Sequence, residues 1–268
     1  MNAERRESLR VAALQMEQQH MDIEANIAHL WQLIEGATFD LLVLPEMWTT
    51  GFITKVDELS EHYFHEAYQK GRQTMHEVAR RHNAAVYGTL IELQPSGKPA
   101  NTGLFVTPDG SETRYLKRHL FGYGGESKLF EAGSERIQVK YRGWSIRLAT
   151  CYDIRFPVWL RQDQTLGYYD LLLISANWPK PRHIAWERLL RARAIENQCY
   201  LVATNRVGIP HPKLQYPGYS FILDDLGDSL AESKEPIETL LTCEILLDEL
   251  ITSRSRFPLL PDADPFTL

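Results

Sequence analysis

Cysteine is scarce in this sequence: Cys151, Cys199 and Cys243 are the only three in 268 residues, and they lie far apart. An odd, sparse set excludes a disulfide framework, and with no Cys-x-x-Cys pair there is no thiolate pair for structural zinc or dithiol exchange. Any thiol chemistry belongs to a single sulfur. Long apolar runs are missing too. Leu41-Leu42-Val43-Leu44 and Leu171-Leu172-Leu173-Ile174 fall far short of the ~20 residues that cross a bilayer. The charged opening Met1-Asn2-Ala3-Glu4-Arg5-Arg6-Glu7-Ser8 lacks the apolar core of a secretory signal, so a cytoplasmic protein is expected. No glycine-rich loop of Walker or dinucleotide type is present, which argues against a nucleotide cofactor. Basic charge is not in surplus: 29 Lys and Arg against 35 Asp and Glu leave a formal charge of −6. Arg5-Arg6 and Arg80-Arg81 are too brief to make a basic patch, so neither nucleic acid nor an anionic membrane is expected as a partner. His62, His65 and Glu66 lack the His-Glu-x-x-His order of a helical zinc site and read as an exposed helix face.

What is present is an ordinary globular composition, 44% hydrophobic and 24% charged, patterned as alternating strands and helices. Residues 9–14, 40–44, 85–90, 144–150, 170–175 and 200–204 read as strands, several of them apolar on both faces and therefore central. Asp22 stands ready to cap a helix whose apolar positions Ile23, Ile27, Leu30, Leu33 and Ile34 fall at helical spacing. Further helices are expected over 61–81, from about 157, and over 183–197. Pro108-Asp109-Gly110 and Asp225-Leu226-Gly227 mark hairpins, one within 101–117 and one between 219–223 and 230–231. Each half thus follows one β-α-β-α-β-hairpin plan. The α/β fold that satisfies it is a four-layer α-β-β-α sandwich, two mixed sheets face to face with helices outside. No Ser/Gly/Pro-rich linker separates the halves, so residues 1–268 are expected to form a single domain with an irregular arm from about 258.

Three of these strands stop at chemically unusual residues. One ends in Pro45-Glu46-Met47-Trp48, one in Lys117-Arg118-His119, and one in Cys151-Tyr152-Asp153-Ile154-Arg155-Phe156-Pro157. Strand ends are where layered α/β folds place reactive groups, because the sheet holds the loops still. A carboxylate, an ammonium and a thiol are the parts of an acyl-transfer machine. A free thiol with a pKa of about 8.5 is mostly protonated at neutral pH. A carboxylate takes its proton during attack, while a lysine offsets the charge growing on the substrate oxygen. Each residue alone also has a plainer reading: Cys151 as a small buried hydrophobe, Glu46 as a turn cap, Lys117 with Arg118 as a solvated hairpin end. Cys199 and Cys243 lie in apolar, strand-like runs and read as core.

Leu44-Pro45-Glu46-Met47-Trp48, Tyr115-Leu116-Lys117-Arg118-His119-Leu120-Phe121 and Ala149-Thr150-Cys151-Tyr152-Asp153-Ile154-Arg155-Phe156-Pro157 together resemble the nitrilase superfamily of carbon–nitrogen hydrolases. They match the order and wide separation of its Glu-Lys-Cys triad. Ser175-Ala176-Asn177-Trp178-Pro179 and Arg191-Ala192-Arg193-Ala194-Ile195-Glu196-Asn197-Gln198 look like its later blocks, and the likeness runs from about residue 9 to about residue 248. The resemblance implies the four-layer fold, a homodimer of packed sandwiches, and no metal or other cofactor, since the lysine does the polarising. It makes Glu46 the general base, Lys117 the electrostatic stabiliser and Cys151 the nucleophile. The Tyr152 backbone N–H would share the oxyanion hole with Lys117, and Glu126 matches a second glutamate that many members hold. The chain looks most like the omega-amidase branch, whose members hydrolyse the side-chain amide of 2-oxoglutaramate and 2-oxosuccinamate. The implied route is a thioester on Cys151 with loss of ammonia, then attack by water.

Recognition residues are read less directly. Arg155 and Arg182 are candidates to grip a substrate carboxylate, with a structural ion pair and a solvated loop charge as their alternatives. Trp48, Phe52 and Trp178 follow strand ends and are candidates to wall a small pocket, or else to pack the core. Rival functions are a nitrile hydrolase, an amidase for carbamoylated or acylated amines, and a non-catalytic interaction module, which the intact triad disfavours. A thiol protease using His119 is weaker still, because nothing resembles the surroundings of such a nucleophile.

Overall fold

Period-two alternation along the strands builds the layers. The computed structural model describes residues 7–53, 59–211 and 214–268. In it β1 (Ser8–Gln15) sends Leu9, Val11 and Ala13 to one face and Ala12 and Leu14 to the other. The first set packs against a second sheet; the other set packs under α1 (Ile23–Leu33) and α2 (Glu61–His82). Both faces are covered along residues 11–14, which is why that stretch is apolar at every position. Each fully buried Leu or Val in such a layer contributes roughly 1.5–3 kcal/mol.

Local signals set the helix boundaries. Asp22 Oδ1 accepts from the Ala25 N–H at 3.0 Å and opens α1. Ser60 Oγ accepts from the Tyr63 N–H and opens α2, which closes on left-handed Asn83. Midway along α2, Gly71 lets the helix press on the sheet: a Cβ there would meet Leu90 Cδ2 at 2.5 Å and Thr49 Cγ2 at 2.8 Å.

The first half continues through β2 (Leu41–Val43), β3 (Ala85–Leu93), β4 (Pro99–Val106), β5 (Glu112–Leu116) and the single turn α3 (Glu126–Leu129). The second half holds β6 (Gln138–Tyr141), β7 (Trp144–Thr150), α4 (Pro157–Leu160), β8 (Leu171–Ala176), α5 (His183–Asn197) and β9 (Tyr200–Asn205). Then come β10 (Val207–His211), β11 (Leu214–Pro217), β12 (Ser220–Leu223), β13 (Ser229–Ser233), β14 (Thr239–Leu246) and α6 (Leu247–Arg256). The sheet orders are β14-β1-β2-β3-β4-β5 and β13-β12-β9-β8-β7-β6. Each has a parallel centre, β1-β2-β3 or β7-β8-β9, flanked by antiparallel strands. The expected pair of mixed sheets with outer helices is therefore what the chain builds.

Three features depart from the sequence reading. The helix expected from about 157 is one turn only, because Gln162 is drawn inward by bonds to Tyr169 and Asn197. The short hairpin β10–β11 and the edge strand β6 carry too little apolar periodicity to be read from sequence. A helix, α6, precedes the irregular arm.

The two sheets are joined by hydroxyls as well as by packing. Ser175 Oγ donates to the Leu44 carbonyl at 2.7 Å, Thr204 Oγ1 to that of Leu14 at 2.6 Å, and the Tyr87 hydroxyl to that of Ala149 at 2.9 Å. All three bonds are buried and lie at the strand ends that lead into the site. Among the described residues no helix is long and apolar enough to cross a membrane.

Candidate active site

Glu46, Lys117 and Cys151 each stand just beyond a strand end, those of β2, β5 and β7. Cys151 opens a 3₁₀ turn over Cys151–Arg155 with a φ of 45°, a left-handed conformation that costs a non-glycine residue about 1–3 kcal/mol. Such an elbow lifts a nucleophile off the strand into open space. Buried Asp153 holds it in place. Its Oδ2 accepts from the Thr150 N–H at 2.9 Å and the Tyr115 hydroxyl at 2.6 Å. Its Oδ1 accepts from the His119 N–H at 3.0 Å and faces His119 Nδ1 at 2.9 Å. The cysteine turn is thereby tied to the residues that follow Lys117. This accounts for His119: its ring pairs with Asp153 and stacks on Phe156 at 3.7 Å between centroids, an arrangement unlike a thiol–imidazole pair.

Lys117, expected on the plainer reading to be a solvated hairpin end, is instead 1% exposed. Its Nζ donates to Glu46 Oε1 at 2.7 Å and to both oxygens of Glu126, at 2.9 and 3.1 Å. Glu126 opens α3 and also accepts the Phe121 N–H at 2.6 Å. Glu46 Oε1 accepts from Asn101 Nδ2 at 2.8 Å, and its Oε2 from the Asn177 N–H at 2.9 Å. The Glu46 carbonyl is held as well, by Gln18 Nε2 at 3.0 Å and Asn177 Nδ2 at 2.8 Å. The carboxylate is thus aimed by donors from three separate segments.

Electrostatics follow from this burial. Burial alone would lower the Lys117 ammonium, but Glu126 and Glu46 outweigh it and hold the group well above the usual lysine value. Burial raises Glu126, which Lys117 opposes and Glu46 reinforces. Burial, then the Glu46 carboxylate, push the Cys151 thiol well up, while the Lys117 ammonium pulls it down. The resting sulfur therefore carries its proton, beside a carboxylate placed to receive it.

The three residues share a cavity of about 820 Å³, within the range of small-molecule sites. Tyr152, Phe52, Trp178, Arg155 and Arg182 line it. Arg155 forms no ion pair among the described residues; its guanidinium lies 4.8 Å from the centre of the Trp178 ring. Arg182 likewise lies over Phe121, at 5.0 Å. The Phe52 ring stands 5.8 Å from Lys117 Nζ.

Trp48 is a correction. It is fully buried beside Leu44 and Leu90, away from the cavity, because the Met47 and Trp48 N–H groups bond to Thr89 and turn the ring beneath α2. Cys199 is core, whereas Cys243 on β14 is only partly buried. Gln18, Asn101 and Asn177 were not singled out from sequence as orienting groups. Asn177 had a signal in its block Ser175-Ala176-Asn177-Trp178-Pro179. Asn101 had none, since its partner Glu46 is 55 residues away.

Known proteins share this arrangement of chain. The carbon–nitrogen hydrolase family matches residues 10–255. An omega-amidase from Yersinia enterocolitica is 40% identical over 264 residues, covering 97% of this chain and 99% of that protein. A 2-oxoglutaramate amidase from Bacillus subtilis is 36% identical over 230 residues, covering 85% and 86%. The crystal structure of a CN-hydrolase superfamily protein from Xanthomonas campestris, with an arsenic adduct in its active site, is similar at a TM-score of 0.89 and 36% identity, over 97% of this chain and 99% of that one. The match spans the strand ends that carry Glu46, Lys117 and Cys151, and the chain belongs to the carbon–nitrogen hydrolase family.

Proposed function

We propose that this chain is a thiol-dependent omega-amidase that releases ammonia from the side-chain amide of small 2-oxo acid amides, 2-oxoglutaramate and 2-oxosuccinamate among them. One observation carries the reading: Glu46, Lys117 and Cys151 face one cavity whose wall also holds three arginines, Arg155, Arg182 and Arg206, without an acid partner among the described residues. The likeness to an omega-amidase and to a 2-oxoglutaramate amidase supports the same substrate class.

The geometry suits a two-step acyl transfer. Cys151 Sγ attacks the amide carbonyl carbon while its proton passes to Glu46. The oxyanion is stabilised by the Lys117 ammonium and the Tyr152 N–H, donors of a kind worth a factor of ~10²–10³ each. Collapse breaks the C–N bond, and Glu46 returns the proton to the departing ammonia. Water then attacks the thioester and gives a proton to Glu46. The C–S bond breaks, the acid leaves, and the thiolate recovers its proton. Glu126 supports the reaction from the far side of Lys117 by fixing the ammonium. Lys117 supplies the polarisation that a metal ion supplies in other hydrolases.

The reading includes a single hydrolase domain working as a homodimer in the cytoplasm. Exposed Val158, Ile184 and Ile195 on α4 and α5 support a second copy covering that helical layer. Ammonia release on 2-oxoglutaramate and 2-oxosuccinamate beside glutamine, asparagine, a simple nitrile and a ureido acid tests the assignment. The 2-oxo acid amides should give the highest kcat/KM; faster turnover of the nitrile or ureido compound would overturn it.

A further inference from the structure

One buried cation faces the same cavity from a different wall. Arg206, the residue after β9, is 1% exposed. Its Nη2 donates to the Gln18 carbonyl at 2.8 Å and its Nε to the Val207 carbonyl at 3.2 Å, while its guanidinium lies 4.7 Å from the centre of the Tyr216 ring. No carboxylate pairs with it among the described residues, and a buried guanidinium without a counter-ion is costly unless something else supplies the charge. Burial lowers its pKa, and only Tyr216 and Glu17 act the other way.

The polar atoms around it have a common focus. Gly51 adopts a φ of +70°, and a Cβ built there would stand 3.4 Å from Arg206 Nη1, 3.8 Å from Gln18 Oε1 and 3.8 Å from His20 Nδ1. Gln18 Oε1 is buried and has no hydrogen-bond partner among the described residues. The Gln18 side chain also binds the Glu46 carbonyl while its backbone carbonyl accepts from Arg206, so one residue joins Arg206 to the segment that carries Glu46. Tyr216, on β11 and 5% exposed, lines the cavity, and its hydroxyl has no hydrogen-bond partner among the described residues. Its pKa is raised to about 12, by burial first, with Arg206 opposing and Glu46 reinforcing the rise, which places the phenol within electrostatic range of Glu46.

We propose that Arg206 and Tyr216 form the carboxylate seat of the pocket and select amides that carry an anionic group at the end remote from the reacting carbonyl. This rests on the amidase reading and deepens it. Arg155 and Arg182 are less buried than Arg206, so water screens them more. They draw anions towards the cavity. A charge-assisted bond inside it, from Arg206 and the Tyr216 hydroxyl, discriminates among them, because a neutral amide leaves the buried guanidinium unpaired.

The test compares kcat and KM for 2-oxoglutaramate and for uncharged butyramide in the full chain and in Arg206→Gln and Tyr216→Phe. Loss of a hydrogen bond to a charged group predicts a KM for 2-oxoglutaramate raised ~10–100-fold in Arg206→Gln. Tyr216→Phe, which removes one oxygen and keeps the ring stack, should raise it by a smaller factor. The ratio of kcat/KM between the two substrates should fall in both variants, with kcat for 2-oxoglutaramate moving least. An unchanged ratio in a folded Tyr216→Phe enzyme overturns the seat even if Arg206→Gln does not fold. Calorimetric titration of 2-oxoglutarate into Cys151→Ala, with and without Tyr216→Phe, reads the seat without turnover. Binding that Tyr216→Phe weakens supports the seat even if the intact chain hydrolyses no amide, an outcome that sinks the amidase reading alone; equal binding by the two proteins rejects the seat.

Discussion

Replacing Lys117 by Met removes the ammonium that lies between two buried carboxylates. Three contacts of 2.7, 2.9 and 3.1 Å disappear, and Glu46 and Glu126 are left facing each other with 0% side-chain exposure. Removing one partner from a buried ion pair costs about 3–5 kcal/mol, because the remaining charge is neither hydrated nor neutralised. At ~2–4 °C per kcal/mol for a large domain, the thermal midpoint should drop by roughly 6–20 °C. Turnover should fall by at least ~10²–10³ as the oxyanion loses its cation.

The pH dependence of that loss has a definite sign. Lys117 sits above its ordinary value in the folded chain, so the stability it confers is complete below about 10.4 and is lost only as pH rises through the folded value. The stranded Glu126 carboxylate of the variant behaves in the opposite sense. Burial already raises Glu126, and without the lysine that opposes this the group shifts further up, so its penalty exists above the ordinary carboxylate value of about 4.3 and fades as pH falls through the raised one. The gap in midpoint between wild type and variant should therefore narrow from pH 8 to pH 5. Calorimetry across that range, with Lys117→Met/Glu126→Gln as a partial rescue, measures it. A variant with the wild-type midpoint, or a gap that widens in acid, would refute the reasoning.

Cys151→Ala should abolish ammonia release and shift the midpoint by less than about 2 °C, since only a thiol at the cavity wall is removed; a large drop would mean that the sulfur is packing. Cys199→Ala should cost about 1 kcal/mol of stability, read by urea unfolding, and leave turnover intact. Asp153→Asn weakens the tie between the cysteine turn and the segment after Lys117, so kcat should drop ~10-fold or more with little change in KM. Mass spectrometry of enzyme mixed with a slow ester should find an acyl group on Cys151, and its absence under trapping conditions would argue against a covalent route.

Much of the scaffold was legible because its central strands are buried on both faces and its first two helices begin with side-chain caps. The α5 boundaries, His183–Asn197, match the expected span. Such signals are local. Glu46, Lys117 and Cys151 were legible as three strand ends, and their convergence on one cavity follows from sheet order. Trp48 misled because an aromatic after a strand end carries no mark of the direction its turn takes; that direction is set by Thr89 on a neighbouring strand. The plainer reading of Lys117 as solvated was open because its counter-charges lie 71 and 9 residues away, and only the first belongs to another strand end. Asn101, Gln18 and Arg206 escaped notice for the same reason: each acts through partners distant along the chain.

The hydroxyl bonds of Ser175, Thr204 and Tyr87 join the two layers at their site-bearing rim. Glu46 and Cys151 follow strands of opposite layers, so their separation is a property of this seam rather than of either layer alone. Loosening the seam by Ser175→Ala would let the halves slide by fractions of an ångström while each keeps its own hydrogen-bonded ladder. Catalytic rate on warming should then decay ahead of the far-ultraviolet dichroism, making turnover a more sensitive gauge of layer alignment than any measure of secondary structure.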